Sequence, residues 1–150
     1  MKIAIGCDEA ALNYKNTIRD MLTEQGIEMI DFGTYDEAPV LYPDIAVAVG
    51  EAIVRGEAER GILLCGTGIG MSISANKIPG IRAAVCHDSF SAERSRKSND
   101  AQIICMGARV IGIELAKQLV MIWLHSDFAG GGSTAKVEQI KAYERKYMHL

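Results

Sequence analysis

Short apolar runs alternate with amphipathic segments along most of the chain. Apolar runs rich in β-branched residues predict five β-strands, at 2–7, 27–33, 60–65, 81–86 and 101–107. Helical spacing of apolar residues predicts helices between and after them, at 12–26, 42–57, 70–77, 89–97 and 112–127. This alternation predicts a parallel sheet, because each strand returns to the sheet through a helix. Strands of such a sheet are buried on both faces, which explains their nearly continuous apolar character.

The end of the chain departs from this alternation. "AGGGS" at 129–133 predicts a flexible break, and 134–150 predicts a further amphipathic helix. No strand remains for that helix to cover, so we expect it to pack on a second subunit; folding back on its own sheet is the alternative. A length of 150 residues without an internal repeat predicts a single domain, 1–150.

Charge and cysteine content narrow the function classes. A net charge of −3 and a pI near 5.6 argue against nucleic acid as the main partner, because phosphate backbones require a basic surface. No apolar run is long enough to span a membrane, and the N-terminus lacks the apolar core of a signal peptide. We therefore expect a cytoplasmic protein. The four cysteines have no CxxC spacing, so neither disulfides nor a metal site is expected.

The residues that follow the strands carry the candidate chemistry, because ligands of an open parallel sheet bind at the carboxyl ends of its strands. They comprise a carboxylate pair, a thiol on a glycine-rich turn, an imidazole and a guanidinium. The side chains concerned are Asp8 and Glu9, Cys65, His87 with Asp88, and Arg109. This combination favours a reactive site at that edge of the sheet.

The turn "CGTGIG" at 65–70 is the most informative of these segments. Gly66, Gly68 and Gly70 can expose backbone N–H groups at the start of a helix, which predicts an anion site. The same helix start favours the thiolate form of Cys65. A thiolate can act as a general base or as a nucleophile, whereas a buried, space-filling cysteine is the alternative.

Two other functions remain open at this point. Asp88 lies about 20 residues beyond the glycines, so a nucleotide- or phosphate-binding module without catalysis is possible, although G-x-G-x-G after a third strand departs from the dinucleotide fingerprint. A transferase that uses Cys65 as its nucleophile is the other alternative.

Several motifs occur in order along the chain: "KIAIGCD" at 2–8, "IDFGTY" at 30–35, "CGTGIG" at 65–70, "SANKIPGIRAAV" at 74–85 and "MGARVIG" at 106–112. With them the chain closely resembles ribose-5-phosphate isomerase B and the galactose-6-phosphate isomerase subunits over nearly its whole length. The resemblance implies a Rossmann-like three-layer α/β/α sandwich with the extra C-terminal helix at a dimer interface. It also implies homodimers or dimers of dimers with shared active sites, and neither metal nor cofactor.

The resemblance also implies a reaction, which interconverts an aldose phosphate and a ketose phosphate through a cis-enediolate. By position, Cys65 would be the base that moves the proton between C1 and C2. Asp8 would bond substrate hydroxyls, Tyr42 would line the pocket and Arg109 would hold the phosphate. The enediolate and the adjoining substrate atoms would be held by Gly66, Thr67, Gly68, Gly70 and Asn99.

Four positions depart from the family pattern. Glu9 and Ser98 stand where relatives usually have histidine, and Gly132 and Lys136 stand where they usually have arginine. The histidine missing at 98 is the group that opens the furanose ring in relatives. Glu9 adds a negative charge near the phosphate contacts, where like charges cost free energy. Lys136 would reach the phosphate from the neighbouring subunit, unless it is an ordinary exposed lysine.

Three explanations compete for these departures. His87 could take over ring opening, or the substrate could need no ring opening, or the chain could bind sugars without turning them over. Intact Cys65 and Asn99 argue against the last. A tetrose 4-phosphate cannot close a furanose because its C4 oxygen is blocked. We therefore favour D-erythrulose 4-phosphate/D-erythrose 4-phosphate over ribose 5-phosphate or a hexose 6-phosphate.

Overall fold

A computed structural model describes residues 1–148. Strands and helices alternate from the N-terminus, with a short 3-10 turn, Glu9–Ala11, between the first strand and the first helix. The strands are β1 Lys2–Cys7, β2 Glu28–Asp31, β3 Arg60–Cys65, β4 Ala83–Val85 and β5 Ile103–Gly107. The helices are α1 Leu12–Glu24, α2 Tyr42–Val54, α3 Ile69–Ala75, α4 Ser89–Lys97, α5 Ile113–Leu124 and α6 Gly132–Met148.

The strands form one five-stranded parallel sheet in the order β2-β1-β3-β5-β4, as the alternation predicts. The edge strands β2 and β4 are shorter than the apolar runs 27–33 and 81–86 indicated. An apolar run shows which residues avoid water, whereas a strand extends only as far as its hydrogen-bonding partner does. Edge strands have a partner on one side only, and short ones are typical of natural sheets.

Helices cover both faces of the sheet, which confirms the three-layer arrangement. One core lies under α1, α4 and α5 and includes Ile18, Leu22, Leu119 and the fully buried Trp123. The other lies under α2 and α3 and includes Val49, Met71 and Ala75. α2 lies close to β3 because Gly61 has no side chain: a Cβ there would lie 2.8 Å from Val49 Cγ1.

Little of the last helix is buried against the rest of the chain. It begins at Gly132, inside the segment expected to be a break, and Val137 is the residue of its described part that is buried. Ile140, Tyr143 and Tyr147 are all exposed. None of the helices within residues 1–148 has the length and apolar character needed to cross a bilayer.

Candidate active site

The candidate site lies where the connections leave the sheet in opposite directions. From β1 the chain continues through α1 to β2, which pairs with one side of β1, and β3 pairs with the other side of β1. This reversal opens a crevice at the carboxyl ends of β1 and β3. Asp8 follows β1 there, and its N–H donates to Leu64 O at 3.1 Å. Cys65 ends the neighbouring strand, so the fold brings the carboxylate and the thiol to adjacent strand ends.

The turn after β3 points a backbone N–H at the thiol. The N–H of Gly68 donates to Cys65 Sγ with an N-to-S distance of 3.0 Å. Gly68 has a φ of +79°, and a Cβ there would lie 2.9 Å from the Met106 carbonyl carbon. Only glycine fits both constraints without strain. An N–H donor directed at sulfur stabilises negative charge on it.

The four thiols differ in their surroundings. Burial raises the pKa of Cys7 to about 12, and it also raises the pKa of Cys86 and of Cys105. These three thiols stay protonated at neutral pH, as expected of structural cysteines. Cys65 is 5% exposed and is the one of the four that ends a strand beneath the glycine turn.

Tyr42 and Gly70 are in direct contact. Tyr42 begins α2 and is partly exposed, and a Cβ at Gly70 would overlap its ring. The sequence pattern predicts that Gly70 frees backbone N–H groups, and in the structure its lack of a side chain also makes room for the tyrosine. Thr67 is exposed at the top of the turn, and its Oγ1 accepts the Ile69 N–H at 3.2 Å.

A guanidinium lies over the same turn. The N–H of Arg109 donates to Gly66 O at 3.0 Å, and a Cβ at Gly66 would lie 3.6 Å from Arg109 Nη1. Arg109 is exposed to solvent. A cation held against the thiol-bearing turn is suited to an anionic substrate group.

The paired carboxylates are both engaged with backbone. Asp8 Oδ1 accepts the Ala10 N–H at 3.0 Å and caps the 3-10 turn. Its pKa is raised, first by burial and further by the charge of Glu9, although Arg109 acts in the opposite direction. Glu9 Oε2 accepts the Val40 N–H at 3.3 Å. Glu9 therefore contacts the loop that leads into Tyr42.

His87 reaches across from the sheet edge. Its Nε2 accepts the backbone N–H of Gly107 at 2.9 Å, and Gly107 is the register partner of Cys65. Burial lowers the pKa of His87, while the charge of Asp88 acts in the opposite direction. Burial therefore favours the neutral imidazole, whose Nε2 is engaged with Gly107.

Asn99 lies at the end of the sheet opposite Cys65, and Lys136 lies on the last helix. Asn99 precedes β5, and its carbonyl accepts from Arg82 Nε at 3.2 Å, just before β4 begins. The five residues of β5 span about 15 Å, so Asn99 of the same chain cannot reach Cys65. Lys136 is exposed on the first turns of α6, a helix held by the Gly80 N–H, which donates to Glu144 Oε1 at 2.9 Å.

A buried cation lies next to the site, and sequence reasoning missed it. Lys15 is fully buried in α1, where its Nζ donates to both Asp31 carboxylate oxygens at 2.9 Å and to Thr34 O. The Thr34 N–H in turn donates to Cys7 O at 2.8 Å, which ties this loop to the residue before Asp8. In the sequence, Lys15 occupies an ordinary helix position, so no local signal identifies it.

Two surface hollows of the chain lie on and beside α5. One of about 360 Å³ lies on the outer face of α5, lined by Glu114, Lys117, Gln118, Met121 and Ile122. Another of about 240 Å³ lies between α4 and α5. Neither includes a candidate residue.

Comparison with known proteins agrees with the architecture. The chain is 55% identical to D-erythrulose-4-phosphate isomerase of Pectobacterium atrosepticum over 99% of both chains. It is 56% identical to ribose-5-P isomerase B of Listeria innocua, over 97% of this chain and 99% of the relative. The solved structure of ribose-5-phosphate isomerase B from Clostridium thermocellum has 50% identity and a TM-score of 0.96, covering 98% of this chain and 99% of that one.

A family model described as Ribose/Galactose Isomerase matches residues 3–140, which include β3, the glycine turn and β5. The sheet order, the glycine turn and these matches agree with the resemblance seen in the motifs. The chain therefore belongs to the ribose/galactose isomerase family.

Proposed function

We propose that the chain is an aldose–ketose isomerase of a small sugar phosphate, with Cys65 as its base. The observation that carries the proposal is the N–H of Gly68 directed at Cys65 Sγ at 3.0 Å. A thiolate held there would take the proton from the carbon next to the substrate carbonyl and return it to the neighbouring carbon. The N–H groups of the glycine turn would stabilise the negative oxygen of the enediolate.

The surrounding side chains suit the rest of such a substrate. Asp8 would bond hydroxyl groups, and its raised pKa makes it a more effective proton donor than an ordinary aspartate. Tyr42 would form one wall of the pocket beside Gly70. Arg109 would bind the phosphate with charge-assisted hydrogen bonds. Glu9 would restrict the space near the phosphate, because it holds the loop at Val40.

The favoured substrate pair is D-erythrulose 4-phosphate and D-erythrose 4-phosphate. Relatives named for erythrulose 4-phosphate and for ribose 5-phosphate are equally similar to the chain, so identity does not choose between them. Ring chemistry favours the tetrose. Ser98 lacks a titratable group, and the Nε2 of His87 is already bonded to Gly107. A substrate that is always open-chain needs neither residue as a ring-opening acid.

We also propose that a second copy of the chain completes the site, in a cytoplasmic homodimer or a dimer of dimers. Asn99 lies at the end of the sheet away from Cys65, so it would join a site from a partner subunit, and Lys136, exposed on α6, would come from the same partner. Exposed apolar residues on α3 and α6 offer an interface for that partner: Ile69, Ile73, Ile140, Tyr143 and Tyr147.

A rate comparison tests the substrate. Initial rates with erythrulose 4-phosphate, ribose 5-phosphate, allose 6-phosphate and galactose 6-phosphate should give the highest kcat/KM for the tetrose. A higher kcat/KM for ribose 5-phosphate would contradict the ring-opening argument while leaving the isomerase reaction intact. Absence of activity with all four would contradict the proposed function.

A subunit-mixing experiment tests the shared site. The variants C65A and N99A should each be nearly inactive as homodimers. Unfolding and refolding them together should restore activity, because half of the sites in a mixed dimer combine an intact Cys65 with an intact Asn99. No recovery, with mixed dimers verified by mass spectrometry, would show that each site draws both residues from one chain.

A further inference from the structure

The tip of β5 extends beyond its outer neighbour. β4 ends at Val85, which pairs with Cys105, so Gly107 lies two residues past the last pair. The next residue, Ala108, directs its N–H to β3, where it donates to Cys65 O at 2.9 Å. Because N–H directions alternate along a strand, the Gly107 N–H points towards the side that β4 has already left. His87 Nε2 accepts it at 2.9 Å and replaces the missing strand carbonyl.

Gly107 also touches the turn that carries the candidate base. A Cβ at this position would lie 2.7 Å from the Thr67 backbone and 2.8 Å from Gly66 O. The tip of β5 and the turn are therefore closely packed, without space for a side chain between them. The following residues bond to the same segment, Ala108 to Cys65 O and Arg109 to Gly66 O. A displacement of Gly107 would therefore also displace Cys65, the glycine turn and Arg109.

We propose that His87 is a positioning residue of the isomerase, and that its neutral imidazole holds the tip of β5 against the turn bearing Cys65 and the segment bearing Arg109. The proposal rests on the proposed function above. Accepting at Nε2 requires that this nitrogen carry no proton, so the neutral ring has its proton on Nδ1. In this role His87 neither touches the substrate nor opens a sugar ring.

Acidification should break the contact, because an imidazolium has no acceptor nitrogen. Few titratable or charged groups lie on the described elements around the imidazole ring. Asp88 is adjacent in the chain and favours the charged form, whereas burial favours the neutral form and dominates. Cys86 on the same segment and Cys105 on β5 are uncharged thiols whose pKa values burial raises. Arg109, on the turn after β5, lies instead over Gly66.

Two substitutions of His87 distinguish the role of its hydrogen-bond acceptor from that of its planar ring. H87Q supplies an amide oxygen at a similar reach and does not titrate, whereas H87F keeps a planar ring and accepts no hydrogen bond. With erythrulose 4-phosphate at pH 7.5, we expect H87F to lose about tenfold or more in kcat/KM and H87Q to stay within about threefold of wild type. Wild type should lose activity in acid as His87 gains a second proton, and H87Q should show a smaller acidic loss than wild type. H125Q, which alters an exposed histidine at the end of α5, should keep the wild-type pH profile.

Several results would overturn the inference. One is H87Q as impaired as H87F when both have wild-type circular dichroism and thermal stability. Another is an acidic limb that persists unchanged in H87Q. A third readout needs no turnover: a long-range proton–nitrogen NMR spectrum at pH 7.5 should show the His87 proton on Nδ1, and a proton on Nε2 would refute the contact. If wild type turns over none of the sugar phosphates, the proposed function fails, whereas the NMR result still decides the contact.

Discussion

Two neighbouring strands each have an aspartate at the carboxyl end, Asp8 just after β1 and Asp31 at the end of β2, and the pKa values of the two are shifted in opposite directions. Asp31, at the end of β2, accepts from Lys15, from Arg19 and from the Gly33 N–H at 2.8–2.9 Å. Burial alone would raise its pKa, but these donors lower it below the usual range. Asp8, after β1, has a raised pKa because burial is opposed mainly by local backbone donors.

The difference separates a structural region from a candidate catalytic one. Around Asp31 the fold supplies cations to the carboxylate, and the cluster anchors the loop that leads away from β2. Around Cys65 and Asp8 the fold leaves charge and hydrogen-bonding capacity for a ligand. Polar groups that the protein satisfies stabilise it, whereas groups left for a substrate cost stability until the substrate binds.

The largest expected effect comes from the thiol. C65A should lower kcat by about 10³-fold or more, since general-base catalysis contributes about 10²–10⁴-fold. The matched change C105A removes a fully buried thiol two residues before the tip of β5 and should leave kcat within a few-fold. Steady-state rates of both, with thermal unfolding to verify the fold, make the comparison. Equal losses in the two variants would assign Cys65 a packing role.

Next comes the structural aspartate. D31N should destabilise the protein by about 3–5 kcal/mol, because it leaves the fully buried Lys15 ammonium without its counter-charge. Urea unfolding measures this change, and kcat of the folded fraction should stay close to wild type. The control D20N removes a mostly exposed partner of Arg19 and should cost under about 1 kcal/mol. Equal stability of D31N and D20N would show that the buried Lys15 does not need Asp31 as its counter-charge.

The guanidinium of the site should affect binding rather than stability. R109M should lower kcat/KM by about 10- to 100-fold, mainly through KM, since a hydrogen bond to a charged group contributes about 1.5–3 kcal/mol. The melting temperature should stay close to that of wild type because Arg109 is exposed. R55M changes a surface arginine paired with Glu51 and Glu57 and should alter neither quantity. An unchanged KM in R109M would place the phosphate elsewhere.

The smallest expected effect is a gain in stability. D8N keeps a side-chain cap for the Ala10 N–H and removes a half-buried charge, so it should raise stability at pH 7 by a few tenths of a kcal/mol, about the scale of a solvent-screened group. Its kcat/KM should fall at the same time. Urea unfolding and initial rates measure both, and a loss of stability would mean that the Asp8 charge supports the fold.

The pH dependence of these aspartate effects should have opposite signs. The pKa of Asp8 is raised in the folded state. Its contribution to the free energy of unfolding is therefore complete below the pKa of the unfolded state, about 3.9, and is lost as pH rises through the folded-state pKa. The folded pKa of Asp31 is lowered, so its contribution is present above about 3.9 and is lost as pH falls through the folded pKa. Unfolding free energies of wild type, D8N and D31N between pH 3 and 7 measure both slopes. Slopes of the same sign would contradict the assigned environments.

Much of the fold follows from local patterns in the sequence. The alternation of apolar runs and helical stripes determines five parallel strands and their covering helices. The glycines after Cys65 specify a tight turn, because only glycine fits the positive φ and the close approach of Gly68 to β5. These features are local, since side-chain periodicity and backbone sterics act within a few residues. The motifs also identify the family.

Only the tertiary structure decides which strand-end residues work together. Cys65, Asp8, Tyr42 and Arg109 meet because the sheet order β2-β1-β3-β5-β4 places their strands and turns side by side. Asn99 lies at the opposite end because α4 runs back across the sheet before β5 begins. The engagement of His87 with Gly107, and the opposite pKa shifts of two aspartates, depend on neighbours distant in the chain. Such effects arise from the packed geometry, because burial and hydrogen bonding between distant segments exist only once the sheet has formed.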